Sequence, residues 1–390
     1  MEALRRTREF WAVRGLPRQL KILFLSNFFW ASGLGLYLYI WPVYVRSLGA
    51  SPSEVGLVLA VSTLVASVAF IPGGILADRY DRKRVMILGW SLALPAPLIF
   101  FYAGHWTHLL PGVLVYFASF LGIPAMTAYI ADFSAPGERM TSFGFVYAGF
   151  PLGLTYSPAL GAFLLSSLEM RHLFLIALIF YIASTLVMVA VKADPPATPR
   201  EAGPSFSEIL RRPNVLGVVS VMVVILAATY LAYVYIPLLL QDLHGASISN
   251  VQIFGTLISI GSTILAPILG RLADAWSRKG TMLLAITLFS TSLLLYVFAR
   301  GPPALVLASL FAGTFLAFRS IGDSMITVMA PRQLQGKVMS LFLLLQGLAL
   351  TLTAYLGGLF YEMSAQLPFL VVLGLLPPIA LLVLLLPIFK

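Results

Sequence analysis

The chain has 390 residues, 59% of them hydrophobic and 10% charged, with a mean hydropathy of +0.94. A soluble domain carries about 25% charged residues and could not hide this much apolar surface, so the bilayer must be the solvent. The net charge of +10 lies in short loops between apolar stretches, which argues against a nucleic-acid partner, and the absence of cysteine excludes disulfides, thiolate catalysis and Cys-based metal sites.

The N-terminal stretch Met1 to Lys21 is Arg-rich and lacks the apolar core and cleavage site of a signal peptide, so the first span is expected to serve as the insertion signal. A transmembrane helix needs about 20 mostly apolar residues. On that measure spans are expected near 20–45, 53–77, 84–103, 108–131, 141–166 and 171–192. A second set is expected near 214–240, 249–272, 279–299, 303–329, 337–361 and 366–388. The expected fold is an all-α membrane protein with twelve transmembrane helices. The longest polar stretch separates the two sets. It carries Pro195, Pro196, Pro199 and Pro204, then an amphipathic piece from Ser207 to Arg212 expected to lie on the inner leaflet. The chain therefore divides into an N-terminal six-helix half (1–192), a cytoplasmic linker (193–213) and a C-terminal six-helix half (214–390).

Basic residues set the expected orientation, because cytoplasmic loops collect Lys and Arg. With the N-terminus inside, that side receives Arg5, Arg6, Arg8, Arg14, Arg18, Lys21, Arg79, Arg82, Lys83, Arg84, Arg139, Lys192, Arg200, Arg211, Arg212, Arg271, Arg278, Lys279, Arg332, Lys337 and Lys390. The other side receives Arg46, Arg171 and Arg300. Both termini are expected in the cytoplasm, on a multi-pass protein of the cytoplasmic membrane.

The two sets of spans repeat. Gly74-Ile75-Leu76-Ala77-Asp78-Arg79-Tyr80-Asp81-Arg82-Lys83 is echoed by Gly270-Arg271-Leu272-Ala273-Asp274-Ala275-Trp276-Ser277-Arg278-Lys279, each between the second and third span of its half. Upstream, Gly49-Ala50-Ser51 matches Gly245-Ala246-Ser247, and Pro42 matches Pro237. Parallel six-span repeats are a known transporter architecture. Gly74 would let two helices approach closely. Asp78, at a helix end, is expected to pair with Arg82 or Arg79. The run Gly74-x-Leu76-Ala77-Asp78-Arg79-x-x-Arg82-Lys83 resembles motif A of the major facilitator superfamily, with Asp81 in place of the usual central Gly. The resemblance implies a cytoplasmic latch of Gly74, Asp78, Arg79 and Arg82. In it Asp78 faces the start of the eleventh span near Gly336-Lys337, Asp132 is a third member, and Asp274 and Arg278 form the second copy. The plainer alternative is a solvated loop that only sets topology.

The fifth span carries Gly144, Gly153, Ser157-Pro158 and Gly161-Ala162. This run is similar to motif C, which marks proton-coupled efflux antiporters within that superfamily, with Ser157 where the motif has Gly; a generic small-residue packing face with a Pro kink is the alternative. The tenth span holds Arg319 and Asp323 one helical turn apart on one face. Charges inside spans are expensive and usually functional. The pair reads either as a substrate- or proton-responsive site or as a self-satisfied structural pair. The first span offers Asn27 but no carboxylate, so Asp323 is the expected coupling residue. Ser26, Trp30, Gly33, Tyr37, Trp41 and Tyr44 form one stripe of the first span, and the seventh offers Tyr230 and Tyr233. The resemblance implies that the first, fourth, seventh and tenth spans line the cavity. Asn27, Trp30, Tyr37, Tyr230, Tyr233, Arg319 and Asp323 are therefore the expected lining, suited to apolar or amphipathic organic compounds. Trp41 and Tyr44 read better as an interfacial belt.

No phosphate-binding Gly-x-x-x-x-Gly-Lys-Ser/Thr and no His-Glu-x-x-His occurs. His105 and His108 alone make a poor metal site. The leading reading is a non-enzymatic, proton-coupled exporter of small organic molecules, acting as a monomer in the lipid bilayer without cofactor or metal. Two other readings stay open: a uniporter, exporter or flippase of amphipathic metabolites or lipids without obligatory protons, and a receptor or scaffold that no longer transports.

Overall fold

The computed structural model describes residues 16–134, 138–193, 212–329 and 335–385, apart from the side chains at 139, 140, 274, 319, 320, 323, 324 and 326–337. Every described element is helical. The first nine helices are α1 (Arg18–Gly35), α2 (Trp41–Ser47), α3 (Pro52–Arg79), α4 (Arg82–Leu92), α5 (Pro95–Tyr102), α6 (Leu109–Ala118), α7 (Gly122–Asp132), α8 (Arg139–Leu164) and α9 (His172–Val189). The remainder are α10 (Pro213–Tyr233), α11 (Ile236–His244), α12 (Ile248–Ala275), α13 (Arg278–Phe298), α14 (Pro302–Ala312), α15 (Thr314–Met329), α16 (Gln335–Met363) and α17 (Leu367–Leu385).

The repeated sequence marks repeated punctuation. Gly49 (φ 90°) and Gly245 (φ 62°) take left-handed backbone that ends α2 and α11. Two residues on, Ser51 and Ser247 cap the helices that follow, accepting from the amides of Glu54 (3.3 Å) and Asn250 (3.2 Å). Glu54 completes a capping box by accepting from the Ser51 amide at 2.7 Å. The second loops behave alike. Asp81 caps α4 through the Lys83 amide (2.8 Å), and Ser277 caps α13 through the Gly280 amide (3.1 Å). Asp81 thus fills the expected turn position as a helix cap.

Nine helical stretches among the described residues are long and apolar enough to cross a membrane: 52–79, 82–102, 106–132, 172–189, 213–244, 248–273, 278–298, 338–363 and 367–385. The expected spans at 20–45, 141–166 and 303–329 are helical but fall outside this set, for readable reasons. The first is broken at residues 36–40 and carries Arg18, Gln19, Lys21 and Asn27. The second holds Pro151, Pro158 and several glycines, which lower hydropathy where helices pack. The third is helical over Pro302–Ala312 and Thr314–Met329, of which Pro302–Phe318 lies among the residues whose side chains are described. The linker expected at 193–213 lies almost wholly outside the described residues, as do Arg5, Arg6, Arg8 and Arg14.

Most helix packing stays within residues 18–189 or within residues 213–385. The pairs that carry the packing between these two portions are α3 with α16, α8 with α12, and α2 with α11. The first portion is built around an aromatic core. Trp30 packs on Tyr181 (centroids 4.6 Å), Trp90 (5.4 Å) and Tyr116 (5.9 Å). Its polar tips are satisfied inside. Tyr37 and Tyr181 share a hydroxyl hydrogen bond of 2.7 Å, and Trp90 Nε1 donates to Ser184 Oγ at 3.1 Å. Ser184 Oγ in turn donates to the Ser26 carbonyl at 2.7 Å. Buried aromatic rings need such partners for their polar ends.

Candidate functional site

Three expected cavity residues belong to that core instead. Trp30 is 8% exposed and Tyr37 4%, and both point into the packed centre of residues 18–189. Asn27, 5% exposed, directs Nδ2 at Met126 Sδ (3.6 Å) and the Val146 carbonyl (3.5 Å). A stripe at helical spacing reads equally as a cavity wall or a buried seam. Here α9, α4 and α6 cover it. Trp41 and Tyr44, read as an interfacial belt, are also buried, against Phe100 and Phe174 (centroids 4.7 and 4.8 Å).

Tyr230 and Tyr233 behave differently. Both are half-buried near the end of α10, and Tyr233 stacks on Phe315 of α15 at 4.2 Å. Tyr233 lies beside Tyr39, whose hydroxyl hydrogen-bonds Ser259 Oγ of α12 at 2.8 Å. Tyr39, Tyr230, Tyr233 and Phe315 thus form an aromatic junction between the two portions of the chain. Tyr39 was missed because it sits in the break between α1 and α2, off the helical stripe. Arg319 and Asp323 lie on α15 one turn apart; their side chains are outside the described residues.

Among the described residues the bundle is closed at one end and parted at the other. At the Arg46 end, Arg46 of α2 pairs with Asp242 of α11 (2.6 Å) and the Ser53 amide donates to Glu362 (3.3 Å). Gln252 Nε2 of α12 donates to the Leu36 carbonyl, left free by the break after α1. Gly56 abuts the Ala354 carbonyl and Gly358 of α16 so closely that a side-chain carbon would collide. Contact continues through Thr63–Thr351 (3.0 Å between hydroxyls) to Ser67 against Gly347, and on the other seam to Thr155–Thr263 (3.2 Å). Beyond that level a side-chain carbon on Gly74, Gly144 or Gly270 would meet no atom of the described residues within 4 Å.

The expected latch sits at this parted end, and its pairing differs from the expectation. Arg82, 4% exposed, forms its ion pair with Asp132 and donates to the Ala128 carbonyl (3.4 Å), joining α4 to α7. Asp78 is exposed and has no ion pair among the described residues, and Arg79 beside it is exposed. Arg82 prefers Asp132 because both face the α4–α7 seam, whereas Asp78 ends α3 on the open side. Among the described residues the close approach is made by Gly73, pressed on the Leu121 backbone, and not by Gly74. In the second copy Arg278 opens α13 and is half-buried; the Asp274 side chain is outside the described residues.

On α8, Gly153 packs on the backbone of Phe28 and Ser32, and buried Ser157 donates back to the Gly153 carbonyl at 2.8 Å. Pro158 is buried in the same helix. Most of this motif packs on α1, and among the described residues Gly161 alone of the motif glycines reaches across, against Gln252. The sequence profile of the Major Facilitator Superfamily matches residues 23–256 and 218–388. The chain belongs to the major facilitator superfamily.

This superfamily transporter is 25% identical over 370 residues to multidrug resistance protein 2 of Bacillus subtilis, covering 90% of each chain. It is 27% identical over 176 residues to the quinolone resistance protein NorA of Staphylococcus aureus, 45% of this chain and 44% of that one. Its fold matches the nucleoside transporter NupG with a TM-score of 0.70 at 16% identity, covering 94% of this chain and 98% of that one. It matches the human organic anion transporter MFSD10 with a TM-score of 0.69 at 17% identity, covering 94% and 99%. It is a multi-pass membrane transporter and not an enzyme.

Proposed function

We propose that this superfamily transporter exports small, amphipathic organic molecules across the cytoplasmic membrane by alternating access, in exchange for protons. Twelve spans form two six-helix halves, 1–192 and 214–390, joined by the 193–213 linker, and both termini are cytoplasmic. The observation that carries the mechanism is the asymmetry between the ends. Helix pairs α3–α16 and α8–α12 are in contact from the Arg46 end past Thr63–Thr351 to Ser67–Gly347, and among the described residues nothing touches Gly74, Gly144 or Gly270 towards Asp78. This asymmetry supports a carrier open to the cytoplasm. Full-length similarity to a multidrug resistance protein supports the exporter class and the drug-like substrates. The aromatic junction of Tyr230, Tyr233 and Phe315 supports compounds recognised by stacking and apolar contact.

Topology is checked by labelling. The chain has no cysteine, so single cysteines at Thr198 and Thr107 report without background. They are expected to react from opposite sides of the membrane, and reaction of both from one side would end the twelve-span arrangement. Function is checked with purified protein in liposomes, across cationic, neutral and anionic compounds, with and without a pH difference. Accumulation driven by the pH difference is the expected result. Equilibration alone would identify a uniporter, and no movement of any compound would favour a receptor.

A further inference from the structure

We propose that Arg46, Asp242 and Tyr361 form an outer lock that holds this transporter open to the cytoplasm and must break once in every cycle. The proposal rests on the alternating-access reading above. Three elements converge on one carboxylate. Arg46, in the last turn of α2, gives Asp242 Oδ2 a contact of 2.6 Å through Nη1 and donates to Gln241 Oε1 at 2.8 Å through Nη2. From α16, the Tyr361 hydroxyl donates to the same Asp242 oxygen at 2.7 Å. Arg46 belongs to the first portion of the chain, and Asp242 and Tyr361 to the second, so the cluster spans the interface that alternating access must open.

The surroundings give the cluster leverage. Tyr361 is 4% exposed and stacks on Tyr235 (centroids 5.5 Å). The Tyr235 hydroxyl donates to the Ala354 carbonyl at 2.6 Å, against Gly56 of α3. The lock is therefore coupled to the α3–α16 seam, which is closed near this end. Arg46 and Asp242 are about one-third exposed (28% and 34%), so water can replace their contacts once the halves separate. An isolated exposed pair would contribute little. The convergence of a guanidinium and a buried phenol on one oxygen makes these charge-assisted bonds, the stronger kind.

The test reads conformation directly. Spin labels at Ser167→Cys and Asn250→Cys, both exposed at the Arg46 end and on opposite sides of the interface, report the outer opening in lipid nanodiscs without substrate. Asp242→Asn and Arg46→Ala are each expected to raise the ratio of long- to short-distance populations about tenfold or more, the effect of losing a hydrogen bond to a charged group in a two-state equilibrium. Tyr361→Phe is expected to move it in the same direction by less. The reversed pair, Arg46→Asp with Asp242→Arg, is expected to restore the short distance. An unchanged distribution in both single variants, each eluting as a folded monomer, would overturn the lock. A reversed pair that stays open while folded would also overturn it. No transport enters the measurement, so failure of the exporter reading shows in the liposome assay and leaves this result standing.

Discussion

Trp30→Ala is expected to destabilise the transporter by about 3–5 kcal/mol, the usual effect of removing a large buried aromatic side chain. It is not expected to alter the order in which substrates are preferred. The reasoning starts from contacts. Trp30 touches Tyr181, Trp90 and Tyr116 at once and is almost wholly buried. Alanine would leave a cavity at the point where α1, α4, α6 and α9 meet, and the hydroxyl chain of Tyr37, Tyr181 and Tyr116 would lose its apolar cover. Interiors packed this densely relax only in part. The measurement is the apparent unfolding temperature in detergent together with recovery of monodisperse protein. Trp30→Phe should keep much of both. Tyr233→Ala is the informative contrast. Tyr233 is half-buried at the aromatic junction, so its loss is expected to change substrate preference more than recovery. A Trp30→Ala protein of unaltered stability with a reordered substrate profile would return Trp30 to the cavity wall.

The sequence made some features legible and hid others. Composition required the bilayer, and the repeated Gly-x-Leu-Ala-Asp loops pointed to the family, because those signals need no knowledge of what lies opposite. The repeat even extended to chemistry: Ser51 and Ser247 cap equivalent helices, as Asp81 and Ser277 do. What the sequence could not supply was the azimuth of α1. A stripe of Trp30 and Tyr37 looks the same whether it faces a cavity or a partner helix, since both environments accept aromatic rings. Partner choice was hidden for the same reason. Arg82 has Asp78 four residues away in sequence but Asp132 across the α4–α7 seam, and only folding puts the second nearer. Gln252 and Asp242 carried no motif at all. The faint signal for the latter pair was Arg46, one of three basic residues assigned to the outer side.

Asp323→Asn is expected to abolish pH-driven accumulation while sparing downhill exchange. Asp323 and Arg319 stand one turn apart on α15, the helix that brings Phe315 to the aromatic junction. Ionised groups at this depth are costly unless paired or used. Coupling requires a group that takes a proton when the carrier faces one side and releases it when it faces the other. A carboxylate next to an arginine can do so if substrate or rearrangement changes the arginine's hold. Asparagine keeps the shape and the hydrogen-bonding reach but carries no exchangeable charge. The variant can therefore reorient with substrate but cannot draw on the proton gradient. For exchange of one proton per neutral molecule, one pH unit supports about tenfold accumulation, since it supplies about 1.4 kcal/mol. Asp323→Asn should bring that ratio to about one, with counterflow of labelled substrate retained. Arg319→Ala should behave differently, losing folded protein, because an acid left without a countercharge inside a span is costly. Undiminished accumulation by Asp323→Asn would move coupling to another titratable group and leave the pair as a device for packing α15.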